Sequence, residues 1–156
     1  MSKPNTGTAK SSDALALLKA DHELVQELFN KFDKARTDKQ KADLAEQICT
    51  ELTIHAQIEE EIFYPAVREA IDDEDLMDEA DVEHAGAKEL IAQIEASDAG
   101  DDHFDAKVTV LGEYIRHHVE EEQSEMFPRV RKAELDLDEL GSEMRTRKAE
   151  LQAELA

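Results

Sequence analysis

Apolar residues recur at spacings of three and four over four long stretches of the chain, which is the pattern of amphipathic helices. We predict helices over roughly residues 13–35, 39–70, 75–96 and 103–130. The segments RTDKQ, IDDED and SDAGDD interrupt the pattern and carry residues that favour loops. Long amphipathic helices joined by short connections predict an all-α fold, an up-down-up-down four-helix bundle.

The two ends of the chain are more polar than these helices. Residues 1–12 are expected to form a flexible N-terminal tail, and residues 13–132 the bundle. Residues 133–156 are expected to form a C-terminal extension, a short fifth helix packed outside the bundle through Leu135, Leu140, Met144, Leu151 and Leu155. Pro65 is expected to kink the second helix or to end its regular part.

Each of the four predicted helices has a histidine in its apolar stripe, and two of these are followed four residues later by a glutamate. The residues are His22, His55 with Glu59, His84, and His118 with Glu122. A buried imidazole needs hydrogen-bond partners, so a single such residue is most simply a core histidine whose partners are nearby. One histidine in every helix indicates a shared site instead.

The turns predict that these side chains meet at one level of the bundle. His22 and His55 are equidistant from the RTDKQ turn, and His84 and His118 from the SDAGDD turn. Residues equidistant from the turn of an antiparallel hairpin lie side by side. The two glutamates lie one helical turn further along, on the same face as their histidines.

Four imidazoles and two carboxylates in a dry interior favour a bound cation over a purely structural polar network. Nitrogen and oxygen ligands without thiolate suit iron, manganese or zinc. Six ligands are too many for one catalytic ion but suit two, with each carboxylate free to bridge them. The order His-x3-Glu also differs from the Glu-x-x-His of ferritin-type centres.

The chain contains an internal repeat. His84 follows His22 by 62 residues, and His118 follows His55 by 63. The segments HAQIEEEIFYPAVR and HVEEEQSEMFPRVR align with an aromatic residue, Pro, Val and Arg at the same offsets from the histidine. A duplicated helical hairpin would bring two similar ligand sets together about a pseudo-twofold axis.

This pattern of ligands resembles the hemerythrin-like (HHE cation-binding) domain family over roughly residues 13–132. The strings IEEEIFYP and HHVEEEQSEMFP resemble the family's sequence around its ligands. The resemblance implies a four-helix bundle with a non-haem di-iron centre that binds dioxygen or a related small molecule. It implies iron ligation by His22, His55, His84 and His118, with Glu59 and Glu122 as bridging carboxylates.

Two positions depart from the oxygen-carrying hemerythrins. Those proteins have a His-x3-His pair on the third helix, where this chain has Lys88, and a more widely spaced aspartate where it has Glu122. The leading interpretation is a di-iron protein that binds or senses dioxygen or related small oxidants. Two alternatives stay open: a di-iron oxidase or peroxide-consuming redox enzyme, and an iron-buffering protein or structural metal site.

The composition of the chain narrows its possible partners and its expected location. The formal net charge is −21, which disfavours nucleic acid as a partner because the surface repels phosphates. No stretch reaches the length of a membrane span, no signal peptide is recognised, and the location is expected to be cytoplasmic. Cys49, the single cysteine, is expected to be a small core residue.

Several polar residues near the ligands have a second interpretation. Lys88 is expected to point inward or to the rim, Tyr114 to pack in the core or to line the metal pocket, and His103 and His117 to be exposed. The remaining acidic residues are expected to face solvent or to orient the imidazoles: Glu60, Glu61, Glu120 and Glu121.

Overall fold

A computed structural model describes residues 13–155, and every regular element in that range is helical. The helices are α1 (Ala14–Lys34), α2 (Asp38–Ile58), α3 (Tyr64–Ala70), α4 (Glu74–Glu95), α5 (Phe104–Glu121), α6 (Phe127–Lys132) and α7 (Leu137–Leu155). Two π-helical segments, π1 (Glu59–Phe63) and π2 (Glu122–Met126), join α2 to α3 and α5 to α6. The predicted tail over residues 1–12 lies outside the described residues.

The predicted four-helix bundle with an additional C-terminal helix is confirmed. Its four members are α1, the run α2–π1–α3, α4, and the run α5–π2–α6, while α7 packs against α1 and α2. Local capping fixes where the helices begin. Asp13 accepts hydrogen bonds at the start of α1, Thr37 and Gln40 form a capping box at the start of α2, and Asp73 caps α4.

The π segments refine the prediction that Pro65 kinks the second helix or ends its regular part. The regular α-helix α2 ends at Ile58, and the chain stays helical through π1 and into α3, which contains Pro65; π2 precedes Pro128 in the same way. A π-helical turn accommodates one extra residue, so it rotates the buried face of the helix that follows. The buried residues at the end of π1 and in α3 are Phe63, Tyr64 and Val67, whereas regular helical spacing predicted Ile62 and Ala66.

Two apolar clusters lie on either side of the predicted histidine layer. The first cluster combines the start of α1, the end of α2 and the start of α4 with α3, α6 and α7. The second combines the end of α1, the first part of α2 and the end of α4 with α5. Helix α7 buries Leu140, Met144 and Leu151 in the first cluster, but Leu155 is 52% exposed, so its predicted packing is wrong. Cys49 is buried in the second cluster, as predicted.

Among residues 13–155, no helix is both long enough and apolar enough to cross a bilayer.

Candidate metal centre

The four histidines of the apolar stripes lie in one layer of the bundle. All four are buried, and each comes from a different long helix. The ring centroids of His22 and His55 are 5.0 Å apart, and those of His84 and His118 are 5.1 Å apart. The structure therefore brings together the side chains that the turn positions predicted to meet.

Glu59 and Glu122 are the first residues of π1 and π2, and both side chains are fully enclosed. The Glu59 carboxylate lies 2.9 Å from Nε2 of His84 and 3.3 Å from Nε2 of His55. The Glu122 carboxylate lies 3.1 Å from Nε2 of His22 and 3.5 Å from Nε2 of His118. Each glutamate thus reaches one imidazole from each half of the duplicated chain.

The opposite ring nitrogen of every histidine is held by a side-chain oxygen. Three of these partners are carboxylates: Nδ1 lies 3.0 Å from Asp21 in His55, 2.8 Å from Glu60 in His84, and 2.5 Å from Glu83 in His118. The fourth is an amide, because Nδ1 of His22 lies 2.7 Å from the side-chain oxygen of Gln123. With Nδ1–H donating outward, the Nε2 lone pair points into the layer. This is the arrangement of a metal-binding imidazole, since the outer partner fixes both ring orientation and tautomer.

The inward-facing atoms test whether a metal fits. Nε2 of His22 and His55, Oε2 of Glu59 and Oε1 of Glu122 are buried and lack a hydrogen-bond partner, although they lie within 3.5 Å of one another in pairs. Buried polar atoms without partners are costly. A cation between them would use all four lone pairs, so the donor set fits a bound metal.

The electrostatics of the polypeptide favour positive charge in this layer. Burial lowers the pKa of His118, but the hydrogen bond and charge of Glu122 outweigh it and raise that pKa to about 10. Burial likewise opposes a raised pKa at His55, yet Glu59 and Asp21 lift it well above its usual range. Burial raises the pKa of Glu122, but His118 and His22 hold it well below its usual value.

Tyr64 is a residue of the centre that sequence reasoning missed. Its hydroxyl donates a 2.6 Å hydrogen bond to Glu122 and lies 3.2 Å and 3.3 Å from Nε2 of His84 and His118. Burial, followed by the charges of Glu122 and Glu59, raises its pKa well above its usual value. The repeat alignment held a signal, because Tyr64 aligns with Phe127, which stacks on His22 with ring centroids 6.2 Å apart.

Helix α7 also reaches the centre, through a contact that the sequence did not indicate. Lys148 Nζ lies 2.6 Å from one oxygen of the buried Asp21, whose other oxygen holds His55. Burial raises the pKa of Asp21, but His55 and Lys148 outweigh it and leave that pKa lowered. The extension is therefore connected to a candidate ligand through one carboxylate.

The other polar residues near the ligands divide between the site and the surface. Glu60 orients His84 and also pairs with Lys88 at 2.7 Å, so Lys88 lies at the rim. His103, His117 and Glu120 are exposed, while Glu61 pairs with Arg147 of α7. Tyr114 packs against Gly86, where an added Cβ would clash with its hydroxyl.

The chain is similar to a protein-family profile, to a curated relative and to a solved structure. The profile of the hemerythrin HHE cation binding domain matches residues 13–130. A curated relative from Nostoc sp. strain PCC 7120, named as a DNA nickase, is 30% identical over 115 residues, which are 74% of this chain and 32% of that protein. The chain thus spans about a third of that relative's length.

A solved structure is similar over almost the whole chain. It is a hemerythrin HHE cation binding domain-containing protein from Mycobacterium kansasii, with a TM-score of 0.79 and 23% identity, covering 91% of this chain and 88% of that one. At this identity the likeness supports the fold alone. Because the domain profile covers most of the sequence, the chain belongs to the hemerythrin HHE cation-binding domain family.

Proposed function

We propose that the protein holds two metal ions side by side in the histidine layer. One position is offered by His22 and His55, and the other by His84 and His118. Ligand atoms of His22, His55, Glu59 and Glu122 lie within 4.8 Å of one another, as do those of Glu59, His84 and His118. The two glutamates would share their oxygens between the ions, as their contacts to both halves allow.

We further propose that the ions are iron and that the centre binds or senses dioxygen or a related small oxidant. The thiolate-free set of imidazoles and carboxylates suits iron, and the family is one of cation-binding domains. When bound, a di-iron centre supplies redox chemistry towards such molecules. The polypeptide contributes the oriented imidazoles, a buried hydroxyl at Tyr64 and a water-poor interior. The unpartnered inward atoms are the observation that carries the proposal of a bound metal, and the thiolate-free ligand set carries the choice of iron.

The test is metal analysis of protein purified without added zinc, together with optical spectra with and without oxygen. We expect close to two irons per chain and near-ultraviolet absorption of an oxidised di-iron centre. The His118→Ala variant should lose iron, whereas the variant of the exposed neighbour, His117→Ala, should keep it. Wild-type protein without metal, and of the same stability as His118→Ala, would contradict the proposal.

A redox enzyme acting on dioxygen or peroxide is the second candidate. It is favoured by the position of Lys88, which pairs with Glu60 at the rim, so α4 supplies one imidazole to the layer. Fewer protein ligands leave a metal more open to reaction. Steady turnover of peroxide or oxygen that is abolished in Glu122→Ala would support an enzyme. Stoichiometric binding without turnover would reject it, and metal inert to oxygen, azide and nitric oxide would indicate iron buffering.

A further inference from the structure

A cavity of about 480 Å³ adjoins the histidine layer on the side away from the bridging carboxylates. All four histidines line it, whereas Glu59, Glu122 and Tyr64 do not. The cavity therefore contacts the histidines from a side that also carries three of their outer partners, Asp21, Glu60 and Glu83.

The cavity is much larger than dioxygen requires. Pockets that bind organic ligands usually measure about 300–1,000 Å³, and this one falls within that range. A water molecule occupies roughly 30 Å³ of liquid, so the space exceeds the need of a two-atom oxidant many times over. The size is sufficient for a small organic molecule beside the histidine layer.

Part of the wall is aliphatic and selects against charge; it includes Val25, Leu52, Ala87, Ile91 and Ile115. Such walls cannot compensate the desolvation of an ion. Most carboxylates of the lining already have a partner: Asp21 contacts His55 and Lys148, Glu60 contacts His84 and Lys88, Glu61 contacts Arg147, and Glu83 contacts His118.

The mouth disfavours anions in particular. Its acidic residues include Glu61, Glu83 and Glu95, and the cation at the rim, Lys88, is already paired with Glu60 at 2.7 Å. A carboxylate or phosphate ligand would meet this acidic rim in a protein whose formal net charge is −21.

We propose that this cavity binds a small, neutral, apolar organic molecule next to the metal centre. The inference rests on the proposed function in one respect, since the molecule would lie beside the four histidines of the proposed metal centre. Binding itself depends on the walls of the cavity, so it is separable from the identity of the metal.

The experiment compares three probes of equal chain length on the purified protein with its metal: 1-hexanol, hexanoate and hexylammonium. Calorimetric titration should show 1-hexanol binding at millimolar concentration or below, and both ions binding at least tenfold more weakly. Metal content is measured in parallel. Protein with its full metal content that does not bind 1-hexanol, or that binds either ion as tightly, would overturn the proposal while leaving the proposed function intact.

Two substitutions locate the binding. Ala87→Phe places a ring inside the cavity, and Ala92→Phe places one at its exposed mouth, where the fold tolerates the added bulk. Each should weaken 1-hexanol binding at least tenfold. The matched control is Ala85→Phe, on the same helix but exposed and outside the cavity, which should bind as the wild type does. Unchanged binding in both cavity variants would assign the probe to another surface and overturn the proposal.

Discussion

The two halves of the candidate metal centre come from the same repeated hairpin, yet their surroundings differ. We call the pair His22 and His55 the first half, and the pair His84 and His118 the second half. The repeat gives each half two imidazoles at about 5 Å and a share of both glutamates. The aromatic ring beside each half differs: Phe127 stacks on His22, whereas Tyr64 places a hydroxyl beside the second half.

The outer partners of the imidazoles differ in charge. In the first half, Gln123 is neutral and Asp21 is paired with the partly exposed Lys148. In the second half both partners are carboxylates: Glu83, and Glu60, which is paired with the exposed Lys88. Because a carboxylate partner makes an imidazole a stronger donor, we expect the second half to hold its ion more tightly. In the proposed centre, the duplicated backbone would set the geometry, and the unduplicated side chains would set the affinity of each position for its metal ion.

The largest loss of bound metal is expected from substitution of Glu59, whose carboxylate reaches both halves. Glu59→Ala removes one oxygen from each metal position, so both halves should be affected together and metal content should fall from about two ions per chain to well below one. Elemental analysis after gel filtration measures this.

Glu120→Ala is the matched control, because Glu120 is exposed on α5 and should leave both ions in place. Loss of a single ion from Glu59→Ala would show that the carboxylate serves one half only. Retention of both ions would remove Glu59 from the ligand set.

The six side chains of the candidate metal centre could be predicted to meet because they break a regular pattern. A histidine in an apolar helical stripe is conspicuous, and the turn positions determine its level in an antiparallel bundle. For the same reason the helices and the bundle topology could be predicted, since they follow from periodicity and short connections. The fifth helix was predictable from Leu140, Met144 and Leu151, which recur at helical spacing and are buried.

The residues that distinguish the two halves were not predictable in the same way. Tyr64 faces the centre because π1 shifts the helical register, and a regular 3.6-residue spacing turns it away from the stripe. Asp21 and Glu83 each precede a histidine, and they resemble ordinary surface acids in a chain with 39 acidic residues. Lys148 is 127 residues from Asp21, so this contact depends on how α7 docks.

A smaller change in metal affinity is expected when the outer partners of the imidazoles are exchanged between the two halves. Glu83→Gln gives His118 a neutral partner like that of His22, and it should weaken the second half's metal affinity about tenfold, the lower end of the range for such changes. Gln123→Glu gives His22 a charged partner and should strengthen the first half. Stepwise affinities from competition with a chelator measure both. Changes of the same sign in the two variants would contradict the assignment of the difference between halves to partner charge.

The smallest expected effect is on the stability of the metal-free protein, and it concerns the two lysines that pair with outer carboxylates. Lys148→Met leaves an oxygen of the buried Asp21 without its 2.6 Å partner, and it should lower the free energy of unfolding of the metal-free protein by about 1–2 kcal/mol. Lys88→Met breaks a pair whose lysine side chain is 57% exposed, and it should cost less than about 0.5 kcal/mol.

Urea unfolding gives both values, and Lys148→Arg should restore most of the loss because it returns a cation to Asp21. Equal losses from the two methionine variants would mean that α7 does not stabilise the first half through Asp21. A larger loss at position 148 would make the C-terminal helix part of the metal centre's support, which the repeated hairpin alone does not provide.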